Sequence, residues 1–359
     1  MNNLFGGIYN NKTVFITGNT GFKGSWLALW LQKLGAEIIG YSIDLVSSPS
    51  HFPLLNLKYK TYFYDILDKR SLEKIFLKHK PEIVFHLAAR SLVRESYRNP
   101  VETYKVNVTG TLNVFEAARK CGSVKAIVNI TTDKVYENLE RNISYKEGDP
   151  LGGYDMYSSS KACSEIMSAS YRRFFFPDHK ILLATARAGN AIGGGDWADD
   201  RLIPDLMKAV SKKRKISVRN PESIRPWQHV LEPLSGYLLL GQNLIEGKNE
   251  VARPWNFGPE EDGCITVSDV LARMKKYWNR VGFRNTKEKN KLHEAGILKL
   301  DISDAKNKIK WNPVWNIDRA LEKTACWYRN YYENKKIFSV DNIAEYVDDA
   351  HRKNLIWTK

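Results

Sequence analysis

The chain has 359 residues, 43% of them hydrophobic, with a formal net charge of +15. That is enough apolar material for a large domain plus a smaller one, and no apolar run approaches the ~20 residues a bilayer demands, which argues against a membrane protein. Cys121, Cys163, Cys264 and Cys326 show no CxxC spacing, so neither a metal site nor a disulfide framework is expected, and the setting read from them is reducing and cytoplasmic.

In chain order, Thr13 to Thr17 predicts a strand running into Gly18-Asn19-Thr20-Gly21-Phe22-Lys23-Gly24. Strand, glycine loop and helix in that order suit a dinucleotide. A diphosphate must approach the backbone closely, and the helix start offers free N–H groups and about half a positive charge. Ser25 to Leu34 predicts the helix, with Gly35 as its C-terminal cap. Ile38 to Tyr41 predicts the second strand, ending near Asp44. Such folds place an acid there against the adenosine ribose, and its charge would repel a 2′-phosphate, which leans towards NAD.

Strand and helix signals keep alternating: strand Thr61 to Tyr64, helix Ser71 to Lys78, strand Ile83 to Leu87, helix Val101 to Ala118, strand Ala126 to Thr131. This predicts an α/β fold with a Rossmann-type, doubly wound parallel sheet. The strand ends would then direct Asp65-Ile66, Leu87-Ala88-Ala89-Arg90-Ser91 and Thr131-Thr132-Asp133-Lys134 into one crevice. Tyr157 opens the next helix and shares a face with Lys161. A second YxxxK, Tyr332 to Lys336, has no accompanying groups and shows how easily the spacing arises by chance.

Ile181 to Arg187 predicts another strand, followed by a loop over 188–197. Its Gly193-Gly194-Gly195 beside Trp197 fits equally a backbone lying against a ligand and a flexible hairpin. The dense basic run Lys208, Lys212, Lys213, Arg214, Lys215 and the looser Lys287 to Lys291 lack aromatic interleaving. They read as solvated surface with no nucleic-acid partner, although a basic surface would concentrate an anionic nucleotide. Trp255 to Gly258 reads as a strand returning to the main sheet. Val267 to Val281, capped by Thr266, and Ile317 to Tyr332 read as helices of a smaller, interleaved C-terminal substrate-binding domain. The expected division is 1–187 with a return at about 225–258 for the cofactor, and 188–224 with 259–359 for the substrate. The tail from Asn334 is apolar enough to form a helix, and its role is open.

Gly18-x-x-Gly21-x-x-Gly24, His86-Leu87-Ala88-Ala89, Val106-Asn107-Val108-Thr109-Gly110-Thr111 and Tyr157-x-x-x-Lys161 resemble the extended short-chain dehydrogenase/reductase family, which modifies nucleotide sugars. Within it, Asn129 to Lys134, Gly152-Gly153-Tyr154-Asp155, Arg187 to Trp197 and Ile224 to Leu238 resemble the CDP-D-glucose 4,6-dehydratase branch. The resemblance runs from the first strand to about Trp327. It implies NAD as a retained cofactor, held by Gly18, Thr20, Gly21, Phe22, Lys23, Gly24, Asp44, Asp65, Ile66, Leu87, Ala88, Ala89, Asn107, Thr131, Tyr157 and Lys161. It also implies CDP-D-glucose as substrate, held by Ser91, Arg94, Asn190, Arg201, Leu202, Arg219, Arg225 and His229. Arg225 is matched to the diphosphate because a guanidinium offers paired donors, and Val218-Arg219-Asn220 resembles the stretch along the pyrimidine.

The chemistry of such a reaction can be set against the residues. A free tyrosine, titrating near ~10, is too weak an acid to serve as the C4 base, so Lys161 is expected to favour the phenolate of Tyr157. Elimination of water across C5 and C6 then needs an acid and a base. Asp133 supplies the acid and Lys134 the C5 base, in a position where the dTDP-glucose relatives carry glutamate. Lys134 must be neutral, and burial beside Lys161 is expected to push it that way. The resemblance gives Thr132 the C4 oxygen as hydrogen-bond partner. It further implies a homodimer, or a tetramer, formed through Val101 to Ala118 and Tyr157 to Phe175, with Tyr171 to Phe176 fitting equally aromatic anchors of that interface and core packing. The alternatives are a 4,6-dehydratase of another nucleotide sugar, a nucleotide-sugar 4-epimerase, and an NAD-binding regulatory protein. An epimerase needs only the Tyr-Lys pair, and a regulator would be expected to have lost Tyr157 or Lys161.

Overall fold

The computed structural model describes residues 1, 3–218, 220–285 and 295–359. Five strands build the first half: β1 (Thr13–Thr17), β2 (Glu37–Ser42), β3 (Lys60–Phe63), β4 (Ile83–His86) and β5 (Ala126–Ile130). Leu182–Ala188 and Pro254–Phe257 extend them, giving the order Pro254–Phe257, Leu182–Ala188, β5, β4, β1, β2, β3, with every neighbour parallel. Side chains alternate across this sheet. Val14 and Ile16 enter one core with helix α1 (Phe22–Lys33) and helix Leu231–Ile245, while Phe15 enters a second with helices Lys69–His79 and Gly110–Cys121. Burial on both faces explains why the strands read as continuous apolar runs rather than alternating ones. The chain reverses direction across the sheet between β1 and β4, which opens a crevice at the strands' C-terminal ends.

The smaller layer is a three-stranded sheet of Cys264–Thr266, Ile224–His229 and Asn190–Ile192. Two expectations change here. The stretch 188–197 is not simply a loop, because Asn190–Ile192 pairs with Trp227–His229. Gly193 lines the crevice, while Gly194 and Gly195 make room for rings: a Cβ on Gly194 would lie 1.9 Å from the Trp327 indole, and one on Gly195 2.5 Å from the His51 ring. Helix Val267–Tyr277 has the expected cap, the Thr266 hydroxyl accepting the Asp269 N–H at 3.1 Å. The helix expected at Val101 to Ala118 spans 100–121 and contains a π turn, Lys105–Thr109.

The tail forms helix Ser339–Arg352, and residues 339–359 pack against α1: Trp357 stacks on Phe5 at 5.1 Å and meets Trp30 edge-on at 5.8 Å. Among the described residues no helix is long and apolar enough to cross a membrane, and no cluster of His, Cys, Asp or Glu could hold a metal ion. The Lys287 to Lys291 run lies outside the described residues.

The glycine loop fixes the crevice floor. Gly18 has φ +71°, and a Cβ on it would lie 2.8 Å from the Ala88 nitrogen, while one on Gly24 would lie 2.0 Å from the Gly18 carbonyl oxygen. Both obstacles are backbone, which cannot swing aside. Gly24→Ala should therefore destabilise the fold by at least the ~1–3 kcal/mol typical of overpacking, read by denaturant unfolding. An unchanged midpoint would contradict the close approach.

Candidate active site

A single cleft of about 1050 Å³ runs along the C-terminal ends of the strands, from Asp44 and Tyr64 to Arg225 and Leu298. The glycine loop forms one wall. Gly21 caps α1 without a side chain, and no acidic residue occupies the first turn, so its free N–H groups face the cleft. A diphosphate fits that arrangement, and Asp44, exposed at the edge just beyond β2, fits a ribose. Thr20, Phe22, Lys23, Asp65, Ile66, Leu87, Ala88, Ala89 and Thr131 line the same wall.

The strand ends are held by buried polar bonds. Thr111 donates to the Asn107 carbonyl at 2.7 Å, so His86 Nε2, 2.9 Å away, must donate to Thr111. His86 Nδ1 then accepts from Thr17 at 2.7 Å, and Thr17 Oγ1 accepts the Leu87 and Ala88 N–H groups at 3.1 Å each. Burial, with Lys161 adding to it, pushes His86 down to about 3, consistent with that neutral tautomer. Asn107 does not line the cleft as expected. Its amide accepts the Arg90 N–H at 2.8 Å and donates to the Arg90 carbonyl and Ser160 hydroxyl, so it positions the loop after β4.

Catalytic candidates converge at the end of β5. Thr132 donates to Asp133 Oδ1 at 2.9 Å, and Lys134 Nζ lies 3.1 Å from the same oxygen. Tyr157, on the helix Met156–Ser170 capped by Asp155, lines the same cleft as Thr132. Lys161 Nζ, 2% exposed, donates to the Ile130 carbonyl at 3.0 Å.

Two expectations about charge are corrected. Burial pushes Tyr157 up to about 12 against a smaller downward pull from Thr132, and Lys161 is not among its dominant influences. Lys134 is not buried: it keeps 27% exposure and pairs with Asp133. Lys161 itself is pushed down to about 8, by burial first and by Lys23 second. Lys23 thus reaches past the phosphate loop, its Nζ 3.5 Å from the Tyr237 hydroxyl, and is likewise pushed down to about 8, chiefly by burial.

Of the expected substrate residues, Ser91, Arg94, Asn190, Arg201, Leu202 and Arg225 line the cleft. Arg201 bridges it, with Asp196 at 3.0 Å and Ser91 at 2.9 Å, and Arg94 faces Asp200 at 3.7 Å. Arg225 donates to the Ile224 and Gly296 carbonyls at 2.9 and 3.1 Å. His229 is a correction: it is fully buried between Trp26 and Trp315, accepts the Leu231 N–H, and does not reach the cleft. Arg219 lies outside the described residues. Missed in the sequence were Asp196, Tyr237 and Glu165. Glu165 binds Thr131, Thr185 and Arg187 at 2.5, 2.7 and 2.9 Å beneath the site, and its place four residues after Lys161 was the available signal.

The sequence from residue 15 to 324 matches the model of the GDP-mannose 4,6 dehydratase family. The chain belongs to this family. It is 42% identical to a CDP-glucose 4,6-dehydratase of Salmonella typhimurium, over 96% of this chain and 98% of that protein. The fold matches a dTDP-glucose 4,6-dehydratase of Bacillus anthracis solved with NAD, at TM-score 0.75 and 21% identity over 90% of this chain and 98% of that one. It also matches a UDP-glucose 4-epimerase of Thermotoga maritima solved with UDP-glucose, at TM-score 0.73 and 23% identity over 89% and 99%.

The lowering of Lys161 from 10.5 to about 8 corresponds to up to ~3 kcal/mol of disfavoured charge. The folded protein releases this proton before the unfolded chain does, so the group's cost is full below about 8 and fades as pH climbs towards 10.5. Lys161→Met should therefore make the ligand-free protein more stable at neutral pH by about 1–3 kcal/mol, with the gap closing above pH 8. A variant less stable throughout, or a gap that ignores pH, would contradict this.

Proposed function

We propose that the protein is an NAD-dependent hydro-lyase converting CDP-D-glucose to CDP-4-keto-6-deoxy-D-glucose and water, a step of deoxysugar biosynthesis in the cytoplasm. The observation that carries this reading is the hydrogen-bonded set Thr132, Asp133 and Lys134 in one cleft with Tyr157 and Lys161. Removal of water needs the Asp133–Lys134 pair, which an epimerase does without, and both members of the Tyr-Lys pair are intact. The similarity to the Salmonella protein supports cytidine and glucose as the ligand's parts.

The glycine loop from Gly18 to Gly24 and Asp44 would hold NAD, which would supply the acceptor for the C4 hydride and its later donor to C6. Tyr157 takes the C4 hydroxyl proton while Thr132 hydrogen-bonds the C4 oxygen. Lys134 removes the C5 proton, now acidified by the adjacent ketone, and returns it to C5 after the hydride has arrived. Asp133 protonates the departing C6 oxygen. The resting ion pair becomes this acid and base by moving one proton from Lys134 to Asp133, across the 3.1 Å that separates them. Arg225, Arg201, Arg94, Ser91, Asn190 and Leu202 hold the nucleotide sugar, the guanidinium groups facing the diphosphate.

Incubation with CDP-glucose, dTDP-glucose, GDP-mannose and UDP-glucose should yield a product one water lighter, foremost from CDP-glucose. Water loss from none would overturn the dehydratase. Lys134→Ala should still reduce bound NAD on mixing with substrate yet release no dehydrated sugar, and unimpaired turnover would remove Lys134 as the base.

A homodimer or tetramer through the helices at 100–121 and 156–175 is part of the same reading. Val101, Leu112, Ile166, Phe174 and Phe175 are exposed there, an apolar surface that a second copy would cover. Light scattering should give at least a dimer at micromolar concentration, and a monomer would refute it.

A further inference from the structure

A buried chain of hydrogen bonds joins the C-terminal tail to the phosphate loop. Ser25, the residue after Gly24, donates its hydroxyl proton to the Phe22 carbonyl at 3.0 Å. The Ser25 oxygen also lies 2.8 Å from His51 Nδ1, so His51 must be the donor there. A neutral imidazole keeps its other nitrogen as an acceptor, and Ser339, 2.8 Å from Nε2, donates to it. Ser339 in turn accepts the Trp327 indole N–H at 3.0 Å, a group that can only donate. Ser25, His51, Trp327 and Ser339 are all buried, and burial pushes His51 down to about 3, which keeps the ring neutral.

Every proton in this chain therefore points one way. It starts on helix Ile317–Asn334, passes through Ser339, the first residue of helix Ser339–Arg352, and ends in the first turn of α1. Reversing any one bond would set two donors against each other or leave a buried acceptor unpaired, so the chain has a single arrangement. Satisfied buried networks of this kind rigidify the elements they join.

The same imidazole touches the substrate side of the cleft. Gly195 is pressed against its ring, and the Gly194 carbonyl accepts the Trp26 indole N–H at 2.9 Å. Asp196 then donates its N–H to the Tyr328 hydroxyl at 2.9 Å, while its carboxylate holds Arg201. One ring is thus wedged between the start of α1, where Phe22 lines the cleft, and the 193–197 segment that carries Arg201.

We infer that His51 is a positioning residue: clamped by Ser339, it sets the first turn of α1 against the 193–197 segment and so couples the tail to NAD binding. This rests on NAD binding by the glycine loop and not on the identity of the sugar, so the two are tested apart. NAD affinity is measured by calorimetry on the full chain freed of bound dinucleotide, for wild type, Ser25→Ala, Ser339→Ala and the double variant. Ser339→Ala should weaken NAD on the order of tenfold, although Ser339 does not line the cleft. The double variant should lose no more than the larger single loss, because both substitutions break one chain. A purely structural contact would lower the unfolding midpoint and leave NAD affinity unmoved. Wild-type affinity in Ser339→Ala, or losses that simply add, would overturn the coupling.

Should an alanine variant not fold, the wild type decides. Coupling between two sites is reciprocal, so saturating NAD should slow amide hydrogen exchange over 342–346 of the tail helix. The slowing should exceed that in helix Lys69–His79, which carries no member of the chain. Exchange over 342–346 that is indifferent to NAD would overturn the inference. A wild type that binds no NAD would remove the cofactor site, and the coupling with it.

Discussion

Burial of the Lys161 ammonium is the constraint on which the rest of the site depends. Removing such a charge from water costs several kcal/mol even after relaxation, and the Ile130 carbonyl alone does not offset it. Glu165, one turn further along the same helix, supplies the opposing charge. It is itself immobilised by Arg187, Thr131 and Thr185, with Arg187 bonded onward to the Tyr136 hydroxyl at 2.9 Å. The network fastens helix Met156–Ser170 to β5 and to strand Leu182–Ala188. Tyr157 and the Thr132 to Lys134 turn are therefore carried on elements that cannot shift independently, which is the rigidity proton transfer requires.

The glycine loop contributes a second cation. Because Gly24 lies against the Gly18 carbonyl, the first turn of α1 is drawn tightly onto β1, and Lys23 points into the catalytic end rather than into solvent. Lys23 then presses on Lys161, while Lys23 is itself disfavoured as a cation by burial first and by Arg201 and Lys134 after it. Two ammonium groups, each disfavoured by burial, are stabilised by an anion such as a diphosphate. The unliganded site is strained electrostatically in the sense that ligands relieve. Tyr157 at about 12 belongs to the same picture, since burial dominates until additional positive charge arrives.

Much of this was legible in the sequence, for local reasons. The glycine loop, the alternating elements, the returning strand Pro254–Phe257 and the Thr132-Asp133-Lys134 turn are all written in adjacent residues. What escaped depends on partners distant in sequence. Gly194 could not be told from a ligand-facing glycine, because the ring it accommodates belongs to Trp327. His229 follows Arg225 and Trp227 at strand spacing and shares their face, but only those two line the cleft, and the third lies deep among indoles. The π turn at Lys105–Thr109 left the apolar pattern of its helix intact, hiding the reason Asn107 staples Arg90 instead of facing the cleft.

The arm of the cleft proposed for the nucleotide sugar is closed by internal pairs. Arg201 spends its guanidinium on Asp196 and Ser91, and Arg94 faces Asp200, so the 196–201 segment is tied across the cleft to the loop after β4. An incoming phosphate must compete with carboxylates already in place. A lone carboxylate ligand would gain little, replacing one monoanion with another of similar geometry. A diphosphate brings two charges and more acceptor oxygens, enough to satisfy Arg201 and a second guanidinium together, and thereby frees Asp196 to turn to other donors. Discrimination for nucleotide-linked sugars over free sugars or sugar acids then follows from the internal pairing itself, because the resting contacts set the minimum that a ligand must exceed.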